Sequence, residues 1–350
     1  MSTGPNTIGE ISSPKYRGYF FGLLKVLGTM GHIMEGLLAS VSSSYSVTVY
    51  STTALTFLFF PTIPWMIESP YHLITVSKYD EAKRSLTSLR KGRSESEISA
   101  EYESIKQFVE EERSKKLSRN LLQYLTMRST FKPLICCVLL NFLIFANGTS
   151  VLSIYATLIF PPTEYFSQSS YPLILAIVQL ASSMASVLLI DAFPRRQLFM
   201  LSAFSSFLIQ SCNGIVYYEY SIASDEQQRY VLQWTFLLGA LMFWALSQAV
   251  MDPLNMALRS EILPVSIRGL GTSICAICQS MSAVLCYQVF TFAQTNFGTA
   301  MNFAVFAIDS LLILVVVYLF VPETRGKTLA EVQKCDIGIG LNNDSNEPAR

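Results

Sequence analysis

Charged residues are scarce in this sequence of 350 residues. Only 14% of the residues are Asp, Glu, Lys or Arg, whereas 51% are hydrophobic and the mean hydropathy is +0.38. Soluble domains carry about 25% charged residues, so the composition argues against an ordinary soluble protein. The 25 basic residues are balanced by 25 acidic ones. Because the basic residues lie in loops beside acidic ones, we expect no nucleic-acid partner.

Histidine is rare, and motifs that bind metals or phosphates are missing. The chain has two His residues, and its seven Cys residues show no metal-ligand spacing. The sequence contains neither a phosphate-binding glycine loop nor a nucleophile motif. We therefore expect no enzyme activity, no metal and no cofactor, and we interpret the Cys residues as free thiols. The first 18 residues are polar and lack the apolar stretch of a signal peptide.

Long hydrophobic runs fill most of the chain. A helix needs about 20 apolar residues to cross the hydrocarbon core of a bilayer, and eight runs reach that length. The sequence therefore predicts an all-α membrane protein with about eight spans. The predicted spans are Tyr19–Ala39, Ser46–Met66, Pro133–Phe160, Tyr171–Ile190, Leu198–Tyr218, Val231–Leu258, Leu270–Phe292 and Thr299–Val321.

A charged segment, residues 68–132, separates the second run from the third. It holds 13 basic and 10 acidic residues, almost half of the charges in the chain. Apolar residues recur within it at helical spacing, which predicts two or three short amphipathic helices; a solvated linker is the alternative. The recurring residues are Ala82, Leu86, Leu89, Ile98, Tyr102, Ile105 and Val109. Loops on the opposite side of the predicted bilayer contain one basic residue, Arg229. Because Lys and Arg concentrate in cytoplasmic loops, both termini and this segment are expected to be cytoplasmic.

An internal repeat divides the chain into two unequal halves. Glu10 stands seven residues before Arg17-Gly18, and Glu261 stands seven residues before Arg268-Gly269. Four spans precede the second copy and none precedes the first, so the chain looks like a twelve-span protein without its first four spans. We expect an N-terminal remnant at 1–66, a cytoplasmic loop at 67–131, a six-helix half at 132–332 and a disordered tail at 333–350.

Motifs at the predicted membrane boundaries resemble those of the sugar-porter family of the major facilitator superfamily, nearest to the insect trehalose and glucose facilitators. The resemblance rests on Gly9-Glu10, Arg17-Gly18, Glu68-Ser69-Pro70, Asp191 with Arg195-Arg196, Ser260-Glu261, Arg268-Gly269 and Pro322-Glu323-Thr324-Arg325-Gly326. It implies the major facilitator fold without its first four helices. It also implies transport of a sugar-like solute by alternating access, facilitative or proton-coupled, in the plasma membrane. The alternatives are a truncated, non-transporting membrane protein that acts through a partner or a full-length relative, and an incomplete gene model. The chain is also expected to lie in the lipid bilayer and to be able to form an oligomer.

The resemblance also implies roles for individual residues. Charge pairs that form and separate as one end of the bundle closes and opens are expected from Glu10, Arg17, Asp191, Arg195, Arg196, Glu261, Arg268 and Glu323; a static cluster that holds loops on one side is the alternative. We predict that Arg268 pairs with Glu261 or Glu323 in the outward-facing state. Substrate contacts are expected from Lys25, Asn147, Ser150, Gln248, Asn255 and Gln279.

Several of these positions depart from the family pattern. Lys25, Ile144, Phe145 and Met256 stand where the family has sugar-binding Gln or Trp residues, which predicts that the solute is not a simple neutral hexose or that such a hexose is bound weakly. Lys25, His32 and Glu35 share one helical face. We expect them to form a path for a charged solute or for protons; the alternatives are a local Lys–Glu pair and a Lys25 side chain that extends to the cytoplasmic surface. Pro253 is expected to break its helix beside Asp252, which lines a water-filled path or lies at the membrane edge.

Overall fold

The computed structural model describes residues 3–12, 17–41, 45–57, 60–61, 67–90, 92, 94–117, 128–160, 170–264 and 267–323. Regular structure in these residues is helical. Helices α1 to α6 are Thr3–Ile11, Arg17–Val41, Tyr45–Phe57, Pro70–Thr75, Tyr79–Leu89 and Glu95–Leu117. Helices α7 to α12 are Arg128–Ala146, Thr149–Ile154, Ala156–Ile159, Tyr171–Ala192, Arg195–Ile222 and Glu226–Leu246. A π-helical turn, Ser247–Met251, follows, and α13 to α15 are Asp252–Ile262, Arg268–Phe297 and Thr299–Phe320.

Six helical stretches of the described chain are long and apolar enough to cross a membrane. They are Thr130–Ile154, Tyr171–Ile190, Arg195–Ile222, Glu226–Ile262, Arg268–Phe297 and Thr299–Phe320. These stretches coincide with the last six predicted runs, so those six spans are confirmed.

The two predicted spans before the charged segment differ from the other six. Helix α2 has 25 residues and is about 37 Å long, which exceeds the hydrocarbon core of about 30 Å. It is not among the six stretches above, and it contains the polar residues Lys25, His32 and Glu35. Helix α3 has 13 residues, too few to span a bilayer, and part of the second predicted run falls outside the described residues.

Packing joins the N-terminal helices to the larger C-terminal bundle. Helix α2 lies along α10, while α11 packs along α15 and α7 packs along α14. Small residues allow the close approach of α2 and α10: a Cβ added at Gly22 would lie 2.8 Å from the Cα of Val187. The apolar cores of the bundle are filled by residues such as Ile190, Phe199 and Phe236, each no more than 1% exposed.

The charged segment forms a small helical domain with its own core. Helices α4, α5 and α6 bury Ile74, Leu86 and Tyr102 against one another, in the places where the amphipathic pattern predicts an apolar face. Burial raises the pKa of Tyr102 above its ordinary value. Arg90 at the end of α5 pairs with Glu101 at 3.0 Å, and its Nη1 donates to the backbone oxygen of Ile11 at 3.0 Å. The segment is thereby attached to α1.

A glycine hinge separates α7 from α8. Gly148 has φ +90°, a left-handed conformation that residues with a Cβ rarely adopt. A Cβ at this position would also lie 2.6 Å from the ring of Phe306. The side-chain oxygen of Asn147 accepts the backbone N–H and the hydroxyl of Thr149, at 3.1 and 2.8 Å, and so caps the start of α8.

The helical stretch that contains Pro253 is continuous, and its backbone forms a wider, π-helical turn just before the proline. The ring of Pro253 would clash with the backbone oxygen of Ala249 in an α-helix, and the preceding residues, Ser247–Met251, form a π-helical turn. The N–H of Asp252 bonds to the backbone oxygen of Ser247, five residues back. The prediction of a break is therefore wrong, because an additional residue in the turn accommodates the proline within a continuous helix.

Candidate functional site

One end of the bundle, hereafter the charged end, carries an ion pair between distant parts of the chain. Nη1 of Arg268 lies 2.6 Å from Oε1 of Glu10, although 258 positions separate the two residues. Arg268 is 2% exposed and Glu10 is 13% exposed. Nη2 of Arg268 also donates to the backbone oxygen of Leu263 at 3.3 Å. This contact, hereafter the end pair, joins α1 to the start of α14.

A second charge cluster at the charged end lies within the C-terminal bundle. The guanidinium of Arg195 bonds to the carboxylate of Glu261, and both side chains are almost completely buried. Glu323 accepts the backbone N–H groups of Arg195 and Arg196, each at 3.1 Å. A carboxylate at the N-terminus of α11 satisfies N–H groups that lack helical partners and interacts favourably with the helix dipole. Arg196 in turn donates to the backbone oxygen of Tyr318 at 2.6 Å.

The structure pairs these residues differently from the sequence prediction. Arg268 was expected to bond Glu261 or Glu323, but its ion pair is with Glu10. The prediction is wrong because spacing along one segment does not show which helix of the other half comes closest. The backbones of Arg17 and Asp191 lie at the start of α2 and near the end of α10, but their side chains lie outside the described part of the structure.

A second ion pair joins the two parts of the chain further inside the bundle. Nζ of Lys25 on α2 lies 2.8 Å from Oδ2 of Asp252 at the start of α13. The two side chains are 15% and 17% exposed, so both are largely withdrawn from the surface yet reachable. Lys25 lies eight residues into α2, about 12 Å along the helix axis from its first residue. This contact is hereafter the inner pair.

Two of the predicted substrate residues contact other parts of the protein. Asn255 is 3% exposed, and its amide donates to Oδ1 of Asn141 on α7 at 3.0 Å. Asn147 is completely buried, caps α8 and donates to the sulfur of Met251 at 3.6 Å. Both side chains thus hold helices together at the centre of the bundle.

The other predicted substrate residues make fewer hydrogen bonds to the described part of the protein. Gln248 lies in the π-helical turn, is 4% exposed, and its Oε1 has no hydrogen-bond partner among the described residues. Ser150 is half-buried on α8. Gln279 is half-buried on α14. His32 is exposed on α2, and the side chain of Glu35 lies outside the description.

Sequence reasoning missed Arg259. It is half-buried near the end of α13, two turns and about 10 Å along the helix axis from Asp252. Gln248, Asp252, Asn255 and Arg259 follow one another at spacings of four, three and four, which places the last three on one face of α13. We call these four residues the polar stripe. That spacing is visible in the sequence and indicates a shared polar face. From the sequence, Arg259 is instead interpreted as a basic loop residue that indicates the orientation of the chain in the membrane.

Comparison with known proteins finds a family model and relatives that are all described as sugar transporters. The model of the family described as "Sugar (and other) transporter" matches residues 1–335. A facilitated glucose transporter of Mus musculus, member 6 of solute carrier family 2, is 24% identical over 94% of this chain and 67% of its own length. A facilitated trehalose transporter homologue of Drosophila sechellia is 25% identical over 95% of this chain and 67% of its own length.

Solved structures show the same fold. The proton:xylose symporter XylE, bound to 6-bromo-6-deoxy-D-glucose, superposes with a TM-score of 0.77 at 20% identity, over 94% of this chain and 69% of that protein. The inward-open conformation of XylE from E. coli superposes with a TM-score of 0.57 at 19% identity, over 94% of this chain and 68% of that protein. The chain therefore has the major facilitator fold and spans about two thirds of the length of these relatives.

Proposed function

Because this chain belongs to the "Sugar (and other) transporter" family, we propose that it carries a sugar or sugar-like solute across a membrane by alternating access. The family comprises carriers, and the chain is a multi-pass membrane protein and not an enzyme. The observation that carries the proposal is the end pair, which joins α1 to α14 across 258 positions of sequence. An ion pair of this kind is made when the charged end closes and lost when it opens.

The end pair supports a gating role because of how its charges are buried. Arg268 is 2% exposed, so it depends on Glu10 and the oxygen of Leu263 for compensation of its charge. Loss of one partner of a buried pair costs about 3–5 kcal/mol, but a guanidinium that becomes hydrated as the charged end opens recovers part of that cost. The pair therefore favours the closed arrangement by a modest amount. Arg195, Glu261 and Glu323 lie within one half and keep its helix ends in place.

The inner pair and the polar stripe provide the solute site in this proposal. Substrate sites of such folds lie near the bilayer midplane, where interrupted helices of the two halves meet. Lys25 comes from α2, Asp252 follows the π-helical turn, and Gln248 offers an acceptor that no described residue bonds. Gln279 and Ser150 are proposed as further contacts, while Asn147 and Asn255 are proposed to hold the helices that line the site.

Orientation and location follow from the charge distribution. We infer that the charged end, both termini and the charged segment face the cytoplasm, because Arg229 is the one basic residue in the loops at the opposite end. The plasma membrane is the proposed location. The division into residues 1–66, 67–131, 132–332 and 333–350 is likewise proposed, and it is supported by the separate core of α4, α5 and α6.

Solute uptake into liposomes tests the proposal. The purified 350-residue chain is reconstituted, and the entry of labelled glucose, trehalose, xylose and glucuronate is measured against protein-free liposomes. We expect saturable entry of at least one solute that unlabelled solute inhibits. The Glu10→Gln variant should transport more slowly, while Glu81→Gln should match the parent, because Glu81 is 54% exposed and pairs with Lys78 at the surface. Absence of saturable entry for every solute would contradict carrier activity of this chain.

A further inference from the structure

One carboxyl group inside the bundle has no described partner. Asp309 of α15 is 9% exposed, and its Oδ2 has no hydrogen-bond partner among the described residues. It belongs to none of the ion pairs in the described part of the chain. Because α15 is one of the six apolar stretches, this acid lies within a span. Neither the end pair, the inner pair nor the polar stripe includes it.

Two contacts place Asp309 level with the end of α7. Near the charged end, the thiol of Cys136 on α7 lies 3.8 Å from the backbone oxygen of Phe320 on α15. At the hinge, a Cβ at Gly148 would lie 2.6 Å from the ring of Phe306. The two helices are therefore antiparallel. Asp309 lies about 4.5 Å along the axis from Phe306, in the direction of Phe320, and thus beside the last turn of α7.

Helix α14 reaches the same level. The thiol of Cys286 on α14 donates to the backbone oxygen of Ala146, the last residue of α7, at 3.4 Å. Gly298 joins α14 to α15, with Cys286 twelve residues before it and Asp309 eleven residues after it. The ends of α7, Cys286 and Asp309 therefore lie at one depth in the bundle.

The winding of α15 directs Asp309 between α7 and α14. Phe303, Phe306 and Asp309 follow one another at intervals of three residues, so each is turned by about 60° from the one before. Phe303 faces α11, because a Cβ at Gly214 would lie 3.3 Å from its Cβ, and Phe306 faces the hinge. Asp309 is turned by the same step again, away from α11 and towards α14, which also packs against α15.

The described helices around Asp309 present no cation to it. The nearest titratable groups on α14 are the thiol of Cys286 and the phenol of Tyr287, and α15 carries no other charged residue. The residues of α7 and α11 at this depth are uncharged. The last carbonyl groups of α7 add the negative end of a helix dipole. An ionised Asp309 would therefore face an apolar interior and a further negative potential.

A proton suits this position better than a metal ion. A carboxylate at the centre of a membrane helix costs about 3 kcal/mol, and the neutral acid avoids that cost. A hard metal cation needs about six oxygen ligands, but the thiol of Cys286 and the ring of Phe306 occupy neighbouring positions. The neutral acid can also donate its O–H to a carbonyl oxygen in the last turn of α7, where helical partners are missing, and the carboxylate cannot.

We propose that Asp309 binds a proton, taken from water and returned to it, and that the protonated side chain stabilises the packing of α14 and α15 against the hinge at Gly148. The ionised form is stable only where water reaches it, so loss of the proton favours separation of α15 from the hinge. Proton binding and hinge packing are therefore linked, and each strengthens the other. The site adds a second ligand to the proposed function and does not depend on which solute is carried.

Infrared spectroscopy of the purified full chain in detergent tests for the proton. The C=O stretch of a protonated carboxylic acid is recorded between about pH 5 and about pH 9, a range in which exposed carboxyl groups are largely ionised. We expect a band near neutral pH that disappears as the pH rises. Asp309→Asn and Asp309→Leu, two variants of different polarity, should both lack it. Asp225→Asn, at the exposed N-cap of α12, is the matched control and should keep it.

Hydrogen exchange tests the link to the hinge. The exchange rate of α8, Thr149–Ile154, in the parent is divided by that of Asp309→Asn in the same buffer, which removes the intrinsic effect of pH on exchange. We expect this ratio to rise at least about tenfold across the pH range, equivalent to about 1.4 kcal/mol. The same ratio for α5, in the charged segment, should stay constant.

Each outcome decides the question. A parent spectrum without the band, or a band that both Asp309 variants keep, would overturn the proton site. A constant exchange ratio for α8 would overturn its link to the hinge. Replacement of K⁺ by Na⁺ at fixed pH should leave the band unchanged, and its loss in Na⁺ would show that a metal cation takes the place of the proton. None of these measurements uses a solute, so a negative result leaves the proposed carrier function intact.

Discussion

The end pair can be tested by removing its carboxylate without changing the size of the side chain. Glu10→Gln leaves Arg268, 2% exposed, without its ionic partner and with one bond to the oxygen of Leu263. Removal of a partner from a fully buried pair costs about 3–5 kcal/mol. Because Glu10 is 13% exposed and water reaches that side, we expect about 2 kcal/mol. A change of that size shifts the ratio of closed to open molecules by up to about 30-fold.

Removal of the other partner, Arg268, should change the balance between closed and open molecules by a smaller free energy. Arg268→Gln leaves the uncompensated charge on Glu10, which water reaches more easily, so we expect about 1 kcal/mol. The double variant, Glu10→Gln with Arg268→Gln, should cost less than the sum of the single variants. A coupling energy of about 1–2 kcal/mol is typical of charged residues in direct contact.

Pulsed electron paramagnetic resonance can measure the populations of molecules with the charged end closed and open. Spin labels are placed on Lys83 of α5 and Ser273 of α14, which are both exposed, in a chain whose native Cys residues have been replaced. In Glu10→Gln the distance distribution should gain a longer component, and Glu81→Gln serves as the control. An unchanged distribution in Glu10→Gln, or a double variant equal to the sum of its parts, would refute a gating contribution of this pair.

Three further predictions concern the hinge, the attachment of the charged segment and the topology. Gly148→Ala should lower the melting temperature of the purified chain by an amount equivalent to about 2 kcal/mol or more, because the left-handed backbone and a Cβ 2.6 Å from a ring both oppose it; Gly31→Ala, with no atom within 4 Å, should not lower it. Arg90→Gln should accelerate hydrogen exchange in α5, since the side chain loses its bonds to two neighbours, and unchanged exchange would contradict the attachment. A membrane-impermeant thiol reagent should label Ser224→Cys but not Ser96→Cys in intact cells, and the opposite result would invert the topology.

The spans of the bundle could be predicted from the sequence because they depend on local composition. Apolar runs of sufficient length specify the six confirmed helical stretches, and helical spacing located the buried Leu86 and Tyr102 of the charged segment. Helix α2 was predicted as a span from its length. Lys25, one of its polar residues, pairs with Asp252 of α13 across the two parts of the chain.

The pairing of charges could not be predicted in the same way. Lys25 was grouped with Glu35 because both lie on one face of α2, yet its partner, Asp252, is 227 positions away. Such partners are determined by which helices are neighbours, and neither periodicity nor spacing contains that information. The effect of Pro253 was likewise misjudged, since a proline requires relief of a clash with the preceding turn and a π-helical turn provides it without ending the helix.

The π-helical turn also separates the winding of α13 from that of α12. A π turn holds one residue more than the α-helical path needs. Deletion of one residue from Ser247–Met251 would restore regular α-helical winding and leave the residues after it on nearly the same faces. Asp252 would still face α2, but the ring of Pro253 would then clash with the backbone oxygen four residues before it. A single-codon deletion in this turn should therefore destabilise the helix without turning its polar residues away from α2.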